Sequence, residues 1–291
     1  MSDQIYGFML PDCGVRGAIV RIERVADEVL AQDQYPDKVQ QLLKQALVAS
    51  ALVMSGLKHA ERIALQLQST RGLRLLLAEC NDHGGMRAIA KFALDELSDW
   101  TLGAVGDRCA ITVEPREGDQ RYQGIIAVES DSMSEVLTQY FARSEQIPTW
   151  LALHSDAQGA AGLLLQRVPE QGGLQQPLDA DGWNRVQHLA ATIRSDEWLL
   201  RAPNELVAHV FFEENLEWTG FRELSFSCRC SRAKVEAMLV QLGHDECVEA
   251  LNGNHGVLEV RCEFCARPYR FDAIDAERLF HPGVSPSHVL Q

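Results

Sequence analysis

Several protein classes leave marks that this chain lacks. Its first residues, MSDQIYGFMLPDCGVRG, hold no basic leader and no long apolar run, and no stretch of about 18 apolar residues occurs later. Secretion and membrane insertion are therefore not expected, and the cytoplasm is the expected location. Basic residues are few: 27 Lys and Arg stand against 41 Asp and Glu, a formal charge of −14. No basic run offsets this balance, which repels phosphate backbones and anionic lipids at long range. Neither nucleic acid nor membrane is an expected partner. The patterns GxxxxGK[ST], HExxH and GxSxG are missing, so an ATPase or hydrolase has no support and an enzyme is not expected. Nothing repeats at a fixed period, and there is no low-complexity tract.

With 46% hydrophobic and 23% charged residues over 291 positions, the chain has an ordinary globular composition and room for two cores. Gly17 to Ile22 reads as a strand, and Pro36 to Lys58 as a long helix with Val39, Leu42, Leu43, Ala46 and Leu47 at helical spacing and Pro36 in its first turn. The period then changes to two. Ile63, Leu65 and Leu67, the run Leu73 to Glu79 and the run Met86 to Phe92 predict an antiparallel meander, with turns at Gly72 and Asp82 to Gly85. Strands Ala110 to Pro115 and Tyr122 to Val128 flank a turn at Glu117 to Gln120. Ser132 with Glu135 forms a capping box that opens a helix to about Gln146. A hairpin from Trp150 to Arg167, turning at Asp156 to Gly159, completes an α+β domain of antiparallel sheet and helices.

Pro169 to Asp181 is polar, rich in glycine and proline, and reads as a boundary. Beyond it Val186, Leu189, Ala190, Ile193 and Leu200 mark one amphipathic helix, and Leu206, Val207, Val210 and Phe211 a second after Pro203. Short helices are marginal in water unless their apolar face is covered. Residues from about Trp183 to Glu214 thus fit either ordinary core helices joining two domains or a segment that folds conditionally.

Eight cysteines in a reducing compartment point to metal or redox chemistry more than to static disulfides. Cys228 and Cys230 (SCRCS) and Cys262 and Cys265 (CEFC) form two close pairs, four sulfurs suited to one tetrahedral Zn2+ ion per chain. Helices over Ser231 to Leu242 and Asp245 to Asn252, a turn at Asn254 to Gly256 and a strand Val257 to Arg261 are predicted between the pairs. So small a module depends on its metal for folding. Arg229, Arg232, Arg261 and Arg267 lie near enough in sequence to favour thiolates, the form that oxidants attack. Each cysteine also has a partner one or three positions away. Disulfides Cys228–Cys230 and Cys262–Cys265 are the expected oxidation products, and a disulfide holds zinc far less well than two thiolates. A static, constitutive zinc-stabilised protein-binding module satisfies the same spacing, and a disulfide-exchange enzyme fits it less well, because CEFC opens no helix.

Cys13, Cys80 and Cys109 have no ligand spacing and read as core residues. Cys247 reads as buried on a helix of the metal module, or as a fifth thiol for disulfide exchange. His244 and His255 read as surface or turn residues, and Trp183, Trp198 and Trp218 as packed on the first domain.

Cys228, Arg229, Cys230, Ser231, Lys234 and Val235, then Leu242 and Gly243, then Glu259, Val260, Cys262, Glu263, Phe264, Cys265, Tyr269, Phe271 and Asp272 match a known pattern. So do Arg16, Gly17, Arg21, Tyr35, Pro36, LQLQ (Leu65 to Gln68), RYQGI (Arg121 to Ile125) and SEQIPT (Ser144 to Thr149). In family order along nearly the whole chain, these residues resemble the redox-regulated heat-shock chaperone family of about 33 kDa. The turn Ser69 to Gly72 departs from the glycine-rich turn often found in relatives. The resemblance implies an ATP-independent holdase, inactive while reduced and zinc-bound. Oxidation with unfolding stress would form the two neighbour disulfides, release zinc, unfold the zinc domain and loosen the linker. Apolar surface would then bind unfolding client proteins, and the active form would tend to a homodimer. The expected division is residues 1–175 as the α+β core domain, 176–226 as a metastable helical linker and 227–291 as the small zinc-binding redox-switch domain.

Overall fold

The strand expected at Gly17 is β2 (Val15–Ile22), and before it stands a strand that the sequence pattern does not announce, β1 (Gln4–Leu10). The computed structural model describes residues 3–57, 59–116, 120–168, 179–253 and 256–280. The expected boundary segment Pro169 to Asp181 therefore lies largely outside the described residues, as do most of the turn Glu117 to Gln120, Lys58, and Asn254 with His255. Two compact units divide the chain, Met1–Ser227 and Cys228–Gln291.

In the first unit a short α1 (Arg24–Leu30) precedes α2 (Asp37–Ser55), whose N-cap, not its first turn, is Pro36. The predicted meander is β3 (Ala60–Gln68), β4 (Leu73–Asn81) and β5 (Gly85–Phe92), and after it come α3 (Leu94–Leu97), β6 (Arg108–Pro115) and β7 (Tyr122–Ala127). Helix α4 (Met133–Tyr140) runs on into a π turn at Phe141–Glu145. Only half of its capping box forms: the Glu135 N–H donates to Ser132 Oγ at 3.4 Å, while the Glu135 carboxylate accepts from Ser130 Oγ at 2.6 Å. The hairpin β8 (Thr149–Ser155) and β9 (Ala160–Arg167) turns where predicted, with Asp156 Oδ1 accepting the N–H groups of Gln158 and Gly159.

The single helix expected from Val186 to Leu200 is two, α5 (Gly182–Ala191) and α6 (Glu197–Leu200). Thr192 Oγ1 turns back to donate to the Leu189 carbonyl, and Glu197 accepts the N–H of Arg194, so local side chains stop one helix and start the next. Leu200 consequently leaves the apolar face and is 70% exposed. Helix α7 (Pro203–Val210) starts at Pro203 as expected. Two further strands without a sequence signal, β10 (Glu217–Glu223) and β11 (Ser225–Phe226), complete the unit.

These elements form a five-stranded sheet in the order β10-β1-β2-β9-β8 and a six-stranded sheet in the order β11-β5-β4-β3-β6-β7. Helix α2 is apolar on every side from Ala46 to Met54 and is buried between the two sheets, with Ser50 Oγ satisfied by the Leu47 carbonyl. The inner strands of the five-stranded sheet are covered on both faces. Val20, Ile22 and Leu164 point to the core containing α2; Phe8, Leu10, Val15, Ile19, Leu163 and Leu165 point to a second core closed by Val186, Ala190, Trp198, Leu199, Leu206, Val207 and Phe211 of α5, α6 and α7. Double coverage explains why β2 and β9 read as nearly continuous apolar runs. Each fully buried Leu or Phe here contributes on the order of 2 kcal/mol. Trp198 is buried in this second core and Trp183 packs at its margin, whereas Trp218 is 44% exposed and meets Tyr6 and Phe8 edge-on. Among the described residues no helix is long and apolar enough to cross a membrane.

The second unit consists of α8 (Arg232–Leu242), α9 (His244–Gly253), β12 (Val257–Arg261), β13 (Pro268–Asp272) and α10 (Ala273–Phe280). Among the described residues its buried cluster is small, Val235, Leu239, Cys247, Tyr269 and Phe271, with Leu251 and Ala276 buried as well.

Candidate metal centre

Cys228 and Cys230 precede α8, where Ser231 Oγ accepts the Lys234 N–H at 3.3 Å and fixes the helix start just beyond the sulfurs. Strands β12 and β13 pair from Val257↔Asp272 to Arg261↔Pro268. The turn joining them carries Cys262 and Cys265. It is closed by the Ala266 N–H on the Cys262 carbonyl (2.8 Å) and the Cys262 N–H on the Arg267 carbonyl (3.0 Å), with Ala266 in the left-handed region at φ 51°.

The four sulfurs thereby converge and lie within 4.8 Å of one another, close enough to hold a metal ion. Close separations cross between the pairs: Cys228 to Cys262 is 3.6 Å and Cys230 to Cys265 is 3.4 Å. A tetrahedral ion with metal–sulfur bonds of about 2.3 Å would set its sulfurs about 3.8 Å apart, so the cluster fits zinc without rebuilding the backbone. Burial pushes the Cys265 thiol up to about 12 and also raises Cys262. At Cys230 burial acts upward too, but hydrogen bonds from Tyr269 and from the neighbouring thiols outweigh it and bring the group down to about 7. Of these three thiols, Cys230 is thus the one that ionises most readily.

Of the four arginines expected near the sulfurs, Arg267 lies close enough to act electrostatically on Cys230 and Cys265, while Arg232 and Arg261 are engaged by carboxylates. Arg232 pairs with Glu236 and Asp275 and lies over the Phe271 ring, and Arg261 pairs with Glu259. Arg267 hydrogen-bonds to Tyr269. The nearer polar neighbour is Tyr269 itself, whose hydroxyl donates to Cys230 Sγ at 3.0 Å. Its role escaped sequence reasoning because it depends on the register of β13, although the residue is part of the family pattern.

Cys13, Cys80 and Cys109 are buried in the first unit, and burial pushes all three thiols up to about 12. Cys247 is buried in the second unit's core. His244 stacks edge-on against Phe280 and stands outside the sulfur cluster.

A second arrangement, with no signature in the sequence, ties α5 and the end of α7 to the first sheet. Arg185 of α5 donates to both oxygens of Glu214 (2.6 and 3.0 Å) and to Asp179 (2.6 Å), and the Cys13 thiol donates to Glu214 at 3.2 Å. The Arg185 guanidinium holds the Glu214 carboxyl below its usual range. Arg21, buried on β2, donates to the Arg201 carbonyl between α6 and α7 at 2.8 Å. These partners are separated by up to 201 positions, so no local pattern announces them.

Known proteins share this architecture. The family model described as Hsp33 protein matches residues 3–272. A 33 kDa chaperonin of Methylobacillus flagellatus is 37% identical over 283 residues, covering 96% of this chain and 95% of its own. One from Chromobacterium violaceum is 37% identical with 96% and 94% covered. The crystal structure of a 33 kDa chaperonin from Thermotoga maritima superposes with a TM-score of 0.77 at 23% identity, over 96% of this chain and 97% of that one, a likeness of fold. Match of the family model from the first strand to the end of β13, with relatives this similar along their full length, places the chain in the Hsp33 family of chaperones.

Proposed function

We propose that the protein is a redox-regulated, ATP-independent holdase, resting while Cys228, Cys230, Cys262 and Cys265 hold one zinc ion. The observation that carries this reading is the convergence of four thiols in a unit whose buried cluster among the described residues is small. Bound zinc would supply a divalent positive charge that keeps all four sulfurs as thiolates and braces that small core.

The chain's own sulfurs perform the switch. A thiolate attacks the O–O bond of a peroxide and takes one oxygen, passing two electrons to the departing alkoxide or hydroxide, and becomes a sulfenic acid. The neighbouring thiolate displaces hydroxide from that sulfur, which takes up a proton and leaves as water, and Cys228–Cys230 and Cys262–Cys265 disulfides result. Two disulfides offer too little electron density to keep the ion, and the second unit loses its brace. Under the same proposal α5, α6 and α7 form the metastable linker of residues 176–226. Their lengths of 10, 4 and 8 residues make them dependent on the sheet face they cover. Lifting them would bare Phe8, Leu10, Ile19, Leu163 and Leu165 to the apolar segments of unfolding clients. A homodimer of the activated form and a cytoplasmic location belong to this proposal.

The test is an aggregation assay with a heat-unfolding client, run on reduced and on peroxide-treated protein while zinc release is monitored by a colorimetric chelator. Oxidation with mild heating is expected to release zinc and suppress aggregation. Protection by the reduced form that disappears on oxidation would instead identify a constitutive zinc-stabilised binding module.

A further inference from the structure

Tyr269 stands apart from the other neighbours of the sulfur cluster. Tyr269 is 8% exposed, held on β13 opposite Val260 with its side chain packed in the unit's core. Its hydroxyl donates to Cys230 Sγ at 3.0 Å, and Arg267, two residues earlier, hydrogen-bonds to the same phenol. Cys262 and Cys265 are served differently, by backbone N–H groups of the turn, from Phe264 and Cys265 to the first and from Arg267 to the second. Backbone donors come with the turn, whereas the donor to Cys230 is a side chain.

We propose that Tyr269, braced by Arg267, is a positioning residue of the metal centre that restrains the reaction of the Cys230 sulfur with oxidants. A hydrogen bond into a thiolate draws its lone-pair density toward the proton. It lowers the sulfur's nucleophilicity and would help orient the sulfur as a ligand of a bound ion. Because this bond draws on the density with which Cys230 would attack a peroxide, Tyr269 lowers the share of first oxidation events that fall on Cys230. The inference rests on the zinc–thiolate reading above, and it concerns reactivity within the set rather than client binding.

The experiment compares the full-length, zinc-loaded, reduced wild type with Tyr269→Phe. Each is exposed briefly to hydrogen peroxide and quenched with a sulfenic-acid trap, and the trapped fraction at each of the four cysteines is read by peptide mass spectrometry. Zinc affinity is measured in parallel by chelator competition. Tyr269→Phe is expected to raise the Cys230 share severalfold while the other three cysteines keep their wild-type rates, and to weaken zinc binding roughly tenfold. Arg267→Gln, which leaves the phenol but removes its brace, moves the Cys230 share in the same direction by less, and decides the matter should Tyr269→Phe fail to retain zinc. An unchanged Cys230 share, or a parallel rise at all four cysteines from a loosened unit, overturns the proposal. Zinc that stays bound in peroxide-treated wild type sinks the redox reading instead, and the two failures are read from different measurements.

Discussion

Ala266 adopts the left-handed backbone, φ 51°, in the turn that brings Cys262 and Cys265 together. For a residue with a Cβ this conformation costs about 1 kcal/mol, and glycine adopts it freely. Folding of the second unit and metal binding draw on the same free energy, so Ala266→Gly is expected to tighten zinc binding about fivefold in competition with a chelator. The three cysteines of the first unit give a complementary expectation. With Cys13, Cys80 and Cys109 pushed up to about 12 by burial, all three stay protonated at neutral pH. An alkylating reagent at about pH 7.5 should leave them unlabelled in the native protein and label them after denaturation, as read by mass spectrometry.

The segment α5 to α7 owes its place to apolar burial and to the Arg185–Glu214 pair. Arg185→Ala leaves Glu214, whose side chain is only 7% exposed, without its main partner, at a cost of about 1 kcal/mol for this partly exposed pair. Amide exchange across α5 and α7 should accelerate in that variant while the metal stays bound. The pair also carries a pH dependence. Because Arg185 lowers the Glu214 carboxyl below its unfolded value, its stabilisation is complete above the ordinary carboxylate range and is lost as the pH falls through the depressed value. Glu214→Gln should flatten this acid limb in a denaturation series. Periodicity made α2, the meander and the β8–β9 hairpin legible, and cysteine spacing alone made the sulfur cluster legible. Strand β10 was not, because its residues are exposed throughout and a bulge opposite Gly7 and Phe8 sets Trp218 and Phe221 on one face against the simple period of two. The Arg185 pair and the Tyr269 contact were illegible for another reason: each joins residues that meet only once sheets and turns have set the register.

At the scale of the molecule, the first unit has two hydrophobic clusters and the second one of its own, smaller, beside the four thiols. Calorimetry should resolve two transitions, and a zinc chelator should abolish the one belonging to Cys228–Gln291 while the α2-centred core of the first unit still melts cooperatively. Strand β10 is zipped to β1 along its length, so the chain beyond α7 stays anchored to the sheet when the helices lift. With β9 holding one end and β10 the other, a released α5–α7 segment is a loop fastened at both ends, and its effective concentration over its own sheet face stays on the order of millimolar. Under the proposed release, a client bound there would compete continually with a tethered rival. Short or weakly apolar segments would be displaced quickly, long exposed ones retained, and reclosure after reduction would be a unimolecular event needing no energy source.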